Sequence, residues 1–180
     1  MIFNFILHLT DEDYIKFNEF VYKCMPFGKK QITTFRFSFL FTAIAIALLV
    51  LQISNNLFFK TVFCSVMLIL GALGFIFARK FFLSAIKSEF KRRKKTERLY
   101  APDSSLEFYG EDFIERTPDQ ILTQKYSSVS SVSVLKDKTI YIHISTAITF
   151  IIPSSAFENQ EHFDKFVEFL KSKVNELNFF

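Results

Sequence analysis

The sequence predicts an α+β membrane protein, a two-helix transmembrane hairpin joined to a small antiparallel β domain that a C-terminal helix caps. Three observations carry this. No charged side chain occurs from Phe37 through Phe59, and after Lys60 none occurs from Thr61 through Ala78. Short alternating apolar segments, separated by turn residues, fill the stretch from Leu106 to Ile152. An amphipathic helical pattern follows Pro153.

A helix rises about 1.5 Å per residue, so each uncharged run crosses a hydrocarbon core roughly 30 Å thick with some tilt or thinning. The spans are placed near Phe37–Ile53 and Leu57–Ala78, with a tight turn at Ser54-Asn55-Asn56. A soluble core helix of this length would carry a charged face, whereas the first run offers only Ser38, Thr42 and Gln52 as polar groups. A cleaved signal peptide does not fit either. Residues of mixed charge precede the first run and a second run follows at once. The domain plan is residues 1–34 as an N-terminal strand and amphipathic helix packing on the later domain, 35–82 as the hairpin, 83–100 as a basic juxtamembrane helix, and 101–180 as the β domain.

The chain has 180 residues, 26 of them Phe, and a formal net charge of +4. The surplus of base flanks the apolar runs, which points to membrane orientation and anionic headgroups before nucleic acid. Cys24 precedes the first span and Cys64 lies inside the second, so no disulfide is expected. No CxxC or Cys/His ligand spacing exists, and neither a metal nor a cofactor is expected. The wealth of Phe, Ile, Lys and Asn suggests an AT-rich bacterial genome.

In Met1–Leu9, Phe3, Phe5, Leu7 and Leu9 alternate with Asn4, Ile6 and His8, which suits a strand whose partner comes from the later domain. Thr10 can cap the helix Asp11–Lys23, whose first turn is acidic. Tyr14, Phe17, Val21 and Cys24 form its apolar stripe, and Pro26 and Gly28 end it. The wet face is acidic, which favours packing on the later domain over lying on a bilayer.

Lys29, Lys30 and Arg36 lead into the first span, and Arg79 and Lys80 close the second; the turn between them has only Lys60, whose stem can snorkel. The positive-inside rule then places both termini in the cytoplasm, in a multi-pass protein of the bacterial inner membrane. Gly71 and Gly74 allow close helix contact. A continuing helix over Ala85–Leu99 carries Lys91, Arg92, Arg93, Lys94 and Lys95, with Arg98 beyond. This run reads as an orientation anchor with a solvated face. It also reads as a contact for acidic lipid headgroups, worth on the order of 1 kcal/mol per basic residue. No stacking aromatics interleave with it, so no nucleic acid is expected.

Ala101-Pro102-Asp103 breaks the helix. Strands are expected at Leu106–Tyr109, Asp112–Thr117, Ile121–Tyr126, Val129–Leu135, Thr139–Ser145 and Ala147–Ile152. Gly110, Pro118-Asp119, Asp137-Lys138 and Ser145-Thr146 supply the turns. The result is a curved sheet or partly open barrel. After Pro153, Asn159 or Ser155 caps a helix running to about Leu177, with Phe163, Phe166, Val167, Leu170 and Val174 on its apolar side. Six strands and a closing helix give the layout of a pleckstrin-homology-like (PH-like) domain, and Met1–Leu9 would supply that fold's seventh strand.

The motifs LTDEDYIKFNEF at Leu9–Phe20, LEFYGEDFIERT at Leu106–Thr117 and IYIHISTAITFIIPSSAF at Ile140–Phe157, with the paired spans, resemble the YcxB-like family of bacterial membrane proteins. The resemblance runs over nearly the whole chain. Where that family often has Trp after the third strand of its soluble domain, this chain has Tyr126. The resemblance implies a cytoplasmic PH-like β-barrel or sheet at residues 101–180 and carries no established activity.

No catalytic constellation stands out, so an enzyme is not expected. His8 and His143 are a conceivable metal pair, but they read better as sheet-surface residues, and His162 is the one other histidine. The cluster Ser127, Ser128, Ser130, Ser131 and Ser133 lacks a base at recognisable spacing and reads as a strand edge or exposed face. Glu111, Asp112 and Glu115 are acidic neighbours at a hairpin. Four glycines leave no phosphate-cradling loop. The spans hold no acidic or histidine side chain, which argues against an ion or substrate path. The expected partners are therefore the bilayer and a protein partner or a second copy.

Overall fold

The alternation in the first nine residues produces β1 (Phe3–His8), in which Phe5 and Leu7 are buried while Ile6 and His8 face out. The computed structural model describes residues 1–53, 55–96, 100, 103–145 and 148–180. The expected turn residue Ser54, Arg98, the helix end at Leu99, the break at Ala101-Pro102, the turn residue Thr146 and the strand start at Ala147 lie outside them. The chain divides into two compact units, Met1–Phe17 with Arg98–Phe180, and Asn18–Glu97.

In the first unit β1 pairs antiparallel with β2 (Asp103–Phe108), from Phe3 opposite Phe108 to His8 opposite Asp103. The sheet continues through β3 (Asp112–Arg116) and β4 (Ile121–Lys125) in the order β1-β2-β3-β4. A second sheet holds β5 (Ser131–Val134), β6 (Ile140–His143) and β7 (Thr149–Ile152), all antiparallel, and β8 (Leu177–Phe179) parallel to β5. Neither sheet closes on itself. The β5–β6 turn falls at the expected Asp137-Lys138, where Lys138 adopts φ 68° and the Asp137 carboxylate accepts from the Thr139 amide at 3.1 Å.

The strand ends differ from expectation by a few residues. The larger correction is at the C-terminus. α4 (Gln160–Lys173) stops at Lys173, short of Leu177, and the chain turns into β8. The Glu176 carbonyl accepts from the Val132 amide at 2.9 Å, and the Phe180 amide donates to the Val134 carbonyl at 2.9 Å. The open backbone edge of β5 thus outcompetes a last helical turn, a choice that no local periodicity records. Asn159 is the cap: its side chain accepts from the His162 amide at 2.8 Å.

α4 lays Phe163, Phe166, Val167 and Leu170 into the core formed by both sheets. Phe166 is its centre, with ring centroids of Phe5 at 4.7 Å, Phe108 at 4.9 Å and Phe3 at 5.1 Å. Edge-on aromatic contacts of this kind add to the burial of each ring. α1 (Asp11–Cys24) begins with a reciprocal cap, in which the Thr10 hydroxyl accepts from the Asp13 amide and the Asp13 carboxylate accepts from the Thr10 amide. Its Phe17 ring meets Tyr141 of β6 edge-on at 5.1 Å, so the outer face of the second sheet is covered as well as the inner.

In the second unit, α2 (Pro26–Ile53) and α3 (Leu57–Arg93) form an antiparallel hairpin, and both are long and apolar enough to cross a membrane. α2 starts at Pro26, well before the expected Phe37. Proline suits a first helical position because its missing N–H has no partner there anyway. Gly28 therefore lies inside α2 instead of in a breaker, and a Cβ there would fall 2.2 Å from the Val21 carbonyl oxygen. α3 runs without interruption from the apolar segment into the basic one. Its 37 residues extend about 55 Å, some 25 Å more than a hydrocarbon core needs. The Asn56 side chain caps α3 by accepting from the Phe59 amide. Gly71 and Gly74 sit at the α2–α3 contact, where added Cβ atoms would meet the Ala43 Cβ at 2.7 Å and the Phe39 ring at 2.8 Å. On α1, Glu19 pairs with Lys23, and with Lys87 of α3 at 2.6 Å. Cys24 and Cys64 carry free thiols.

Phe166→Ala should destabilise the β domain by about 3–5 kcal/mol, the cost of emptying a packed aromatic site. Denaturant unfolding of the detergent-solubilised chain, followed by near-ultraviolet circular dichroism, would register it as an earlier loss of the aromatic signal with the helical signal retained.

Candidate functional site

The outward-facing residues of the second sheet are where sequence and structure disagree most. Val132 and Val134, Ile140 and Ile142, and Phe150 and Ile152 point into the core, so Ser133, Tyr141, His143, Thr149 and Ile151 share the opposite face. His143 and Ser133 were expected at the sheet surface. Instead Ser133 is 1% exposed and His143 4% exposed. The cause is α1, whose Phe17 ring lies 6.4 Å from the imidazole and converts an outer face into an interior one.

The buried polar atoms satisfy one another. His143 Nε2 is 3.1 Å from the Ser133 hydroxyl, and Nδ1 is 3.0 Å from the Thr149 hydroxyl. A neutral imidazole has one donor and one acceptor, and a hydroxyl can play either part, so both tautomers are accommodated. The Ser130 hydroxyl donates to the His143 carbonyl at 2.8 Å. Burial pushes the imidazole below its ordinary value of 6.5. A Ser–His pair in this setting resembles half of a nucleophilic site, but a nucleophile must reach its substrate. This pair is sealed under an aromatic ring and works as a polar layer that fixes the register of three strands.

The other histidines are placed elsewhere. His8 Nδ1 is 2.8 Å from the Asp103 carboxylate across the β1–β2 ladder, on an exposed face. The His162 ring stacks on Phe5 at 5.5 Å. Among the described residues no group of three or more His, Cys, Asp or Glu is arranged to hold a metal. Tyr100 donates from its hydroxyl to the Asp11 carboxylate at 2.5 Å and stacks on Tyr14 at 5.4 Å. Burial, together with that carboxylate, raises its phenol to about 12. His8–Asp103 and Asp11–Tyr100 thus fasten the two ends of the segment that leaves the β domain and returns to it. Tyr126 is buried, and its hydroxyl donates to the Tyr109 carbonyl at 2.9 Å. Glu115 is half-buried, which pushes its carboxyl up.

The expected headgroup residues occupy the end of α3. Lys91, Arg92 and Arg93 form its last turn, and Lys94 and Lys95 follow, all exposed. Cations here face the negative end of the helix dipole. Arg92 is paired with Glu89 at 2.8 Å. Sequence spacing located this cluster without help. The Ser133–His143–Thr149 layer left only a faint trace, the matching parity of polar residues on three strands, because the register and the covering helix come from elsewhere in the chain.

Acid should weaken the β domain through His143. Its folded-state value is depressed, so the unfolded chain binds more protons as pH falls below about 6.5, and stability drops in that direction. His143→Gln keeps hydrogen-bonding capacity without titrating, so it should flatten the fall in melting temperature between about pH 7 and pH 5. An equally steep profile in the variant would contradict this assignment. No protein-family model, curated protein or solved structure matches the chain.

Proposed function

We propose that the chain is a membrane-anchored, YcxB-like module of the bacterial inner membrane. Its PH-like domain stands in the cytoplasm and acts as a non-enzymatic interaction or scaffold protein. The observation that carries this reading is the β1–β2 pairing. It makes the hairpin an insertion between two neighbouring strands of one sheet, so any bilayer that α2 and α3 cross has both chain termini on the same side. Lys29, Lys30, Arg36, Arg79 and Lys80 lie at that end of the hairpin and favour the cytoplasm. Lipid as the surrounding solvent is supported by large apolar side chains such as Phe41, Leu48, Ile69 and Ile76, which are exposed along both helices.

Four strands in one sheet, three antiparallel strands in the other and a closing helix agree with a PH-like layout, to which β8 is an addition. The polar layer beneath α1 is sealed, which supports a domain that works through its surface. Chemical cross-linking in native membranes should capture a stoichiometric protein partner or a homo-oligomer through the β domain. Recovery of monomer alone would count against the scaffold role. A single cysteine near the C-terminus should stay protected from an impermeant reagent added to intact cells.

A second reading is favoured by the exposed run Lys91–Lys95, which suits contact with anionic headgroups. A fluorophore on Thr96→Cys, in a Cys24→Ser/Cys64→Ser chain reconstituted into vesicles, should blue-shift as phosphatidylglycerol is added. High salt should reverse the shift. Replacing Lys91–Lys95 with Gln should abolish it, and a shift that survives the replacement would discard the idea.

A further inference from the structure

The hairpin carries two open cavities on one flank, and they join. The outer one, of about 480 Å³, is lined by Lys30, Gln31 and Thr34 of α2 and by Phe82 of α3. The inner one, of about 700 Å³, runs between the two helices past Thr42, Met67 and Gly71. Phe35 and Ser38 line both, so the two make one continuous groove. Its outer end sets Lys30, Gln31 and Thr34 beside Phe27 and Phe82, so that a mostly apolar lining carries one cation, and its inner end lies within the uncharged runs. From Lys30 to Ala43 the helix rises about 20 Å, which is the depth of one leaflet with its headgroup layer.

We infer that this groove is a binding site for one anionic glycerophospholipid of the leaflet on the side of the chain termini. The headgroup phosphate sits at Lys30 and Gln31, and one acyl chain lies along Phe35 and Thr42 toward Met67. Resting on the reading of α2 and α3 as membrane spans, the site is separate from the basic run at the end of α3 and independent of any partner of the β domain. Charge selects the occupant: the open end presents Lys30, with Lys29 beside it in sequence, and among the described residues no acidic side chain lines either cavity. A second hairpin fits less well. Small residues are the usual means by which spans approach one another. Here Gly71 and Gly74 are already used inside the hairpin, against Ala43 and Phe39. The Ser38 hydroxyl is likewise engaged, donating to the Phe35 carbonyl at 2.8 Å. What remains open is an apolar trough with a cationic mouth, a shape complementary to a single lipid.

Native mass spectrometry of the full-length chain, released from nanodiscs of equal phosphatidylglycerol and phosphatidylcholine with matched acyl chains, tests this. One phosphatidylglycerol per chain should be retained, with roughly fivefold preference over phosphatidylcholine for the single basic contact. Lys30→Glu should erase the preference, and Thr42→Trp, which fills the trough, should remove the bound lipid of either kind. Gln at Lys91–Lys95 should leave the adduct intact. Equal retention of both lipids by the unaltered chain, an unchanged preference in Lys30→Glu, or loss of the adduct only in the Lys91–Lys95 variant would overturn the site. So would a lipid-free dimer whose Thr42→Cys positions cross-link. Recovery of the chain in the aqueous fraction without detergent would instead defeat the membrane-span reading, a different and separable failure.

Discussion

The β1–β2 ladder is the contact on which the rest of the architecture depends. It joins His8 to Asp103 and Phe5 to Leu106 across most of the chain's length, with the whole hairpin in between. Closing so long a loop is expensive in entropy, although the cost grows only slowly with length. The ladder offsets it by placing Phe5 and Leu7 in the core, each worth about 1.5–3 kcal/mol when fully buried. Without β1, the Phe166 ring would lose the Phe3 and Phe5 contacts, and β2 would be left as an open edge. The β domain is therefore not a C-terminal appendage of the hairpin. It needs the first residues of the chain as much as the last.

Helix α1 follows directly from that ladder and explains the unusual burial of the second sheet. Inner and outer faces of β5, β6 and β7 are both removed from water, the inner by α4 and the outer by α1 through Phe17. A sheet covered on both sides usually reads as a continuous apolar run. Here the outer face keeps Ser133, His143 and Thr149, and the hydroxyl–imidazole chain offsets their desolvation. Such a layer tolerates only one register, since a slip of a single residue would place the histidine in the apolar core.

The hairpin is packed by a different rule. Its helices bury small residues against each other, with Ala43, Ala47, Gly71, Gly74 and Ala78 inside, and turn their large side chains outward. That inverts the arrangement of a water-soluble pair and is the packing expected where lipid tails are as apolar as leucine. Close approach at Gly71 and Gly74 leaves the groove beside it open, so one geometric feature both holds the helices together and shapes the candidate lipid site.

Much of this was legible in the amino-acid order. The uncharged runs announce the two long helices because their length and polarity are local properties. The strands from Asp112 to Val134 and the Asp137-Lys138 turn follow from period-two alternation and turn chemistry. The basic run at Lys91–Lys95 needs no fold to be seen. Tertiary structure alone decided the remainder. That β1 pairs with β2, that the last residues become β8 instead of another turn of α4, and that His143 and Ser133 lie inside are all settled by partners distant in sequence. Periodicity states which side of an element is apolar. It cannot state what covers the other side, because that depends on a backbone edge and a helix supplied from the far end of the chain.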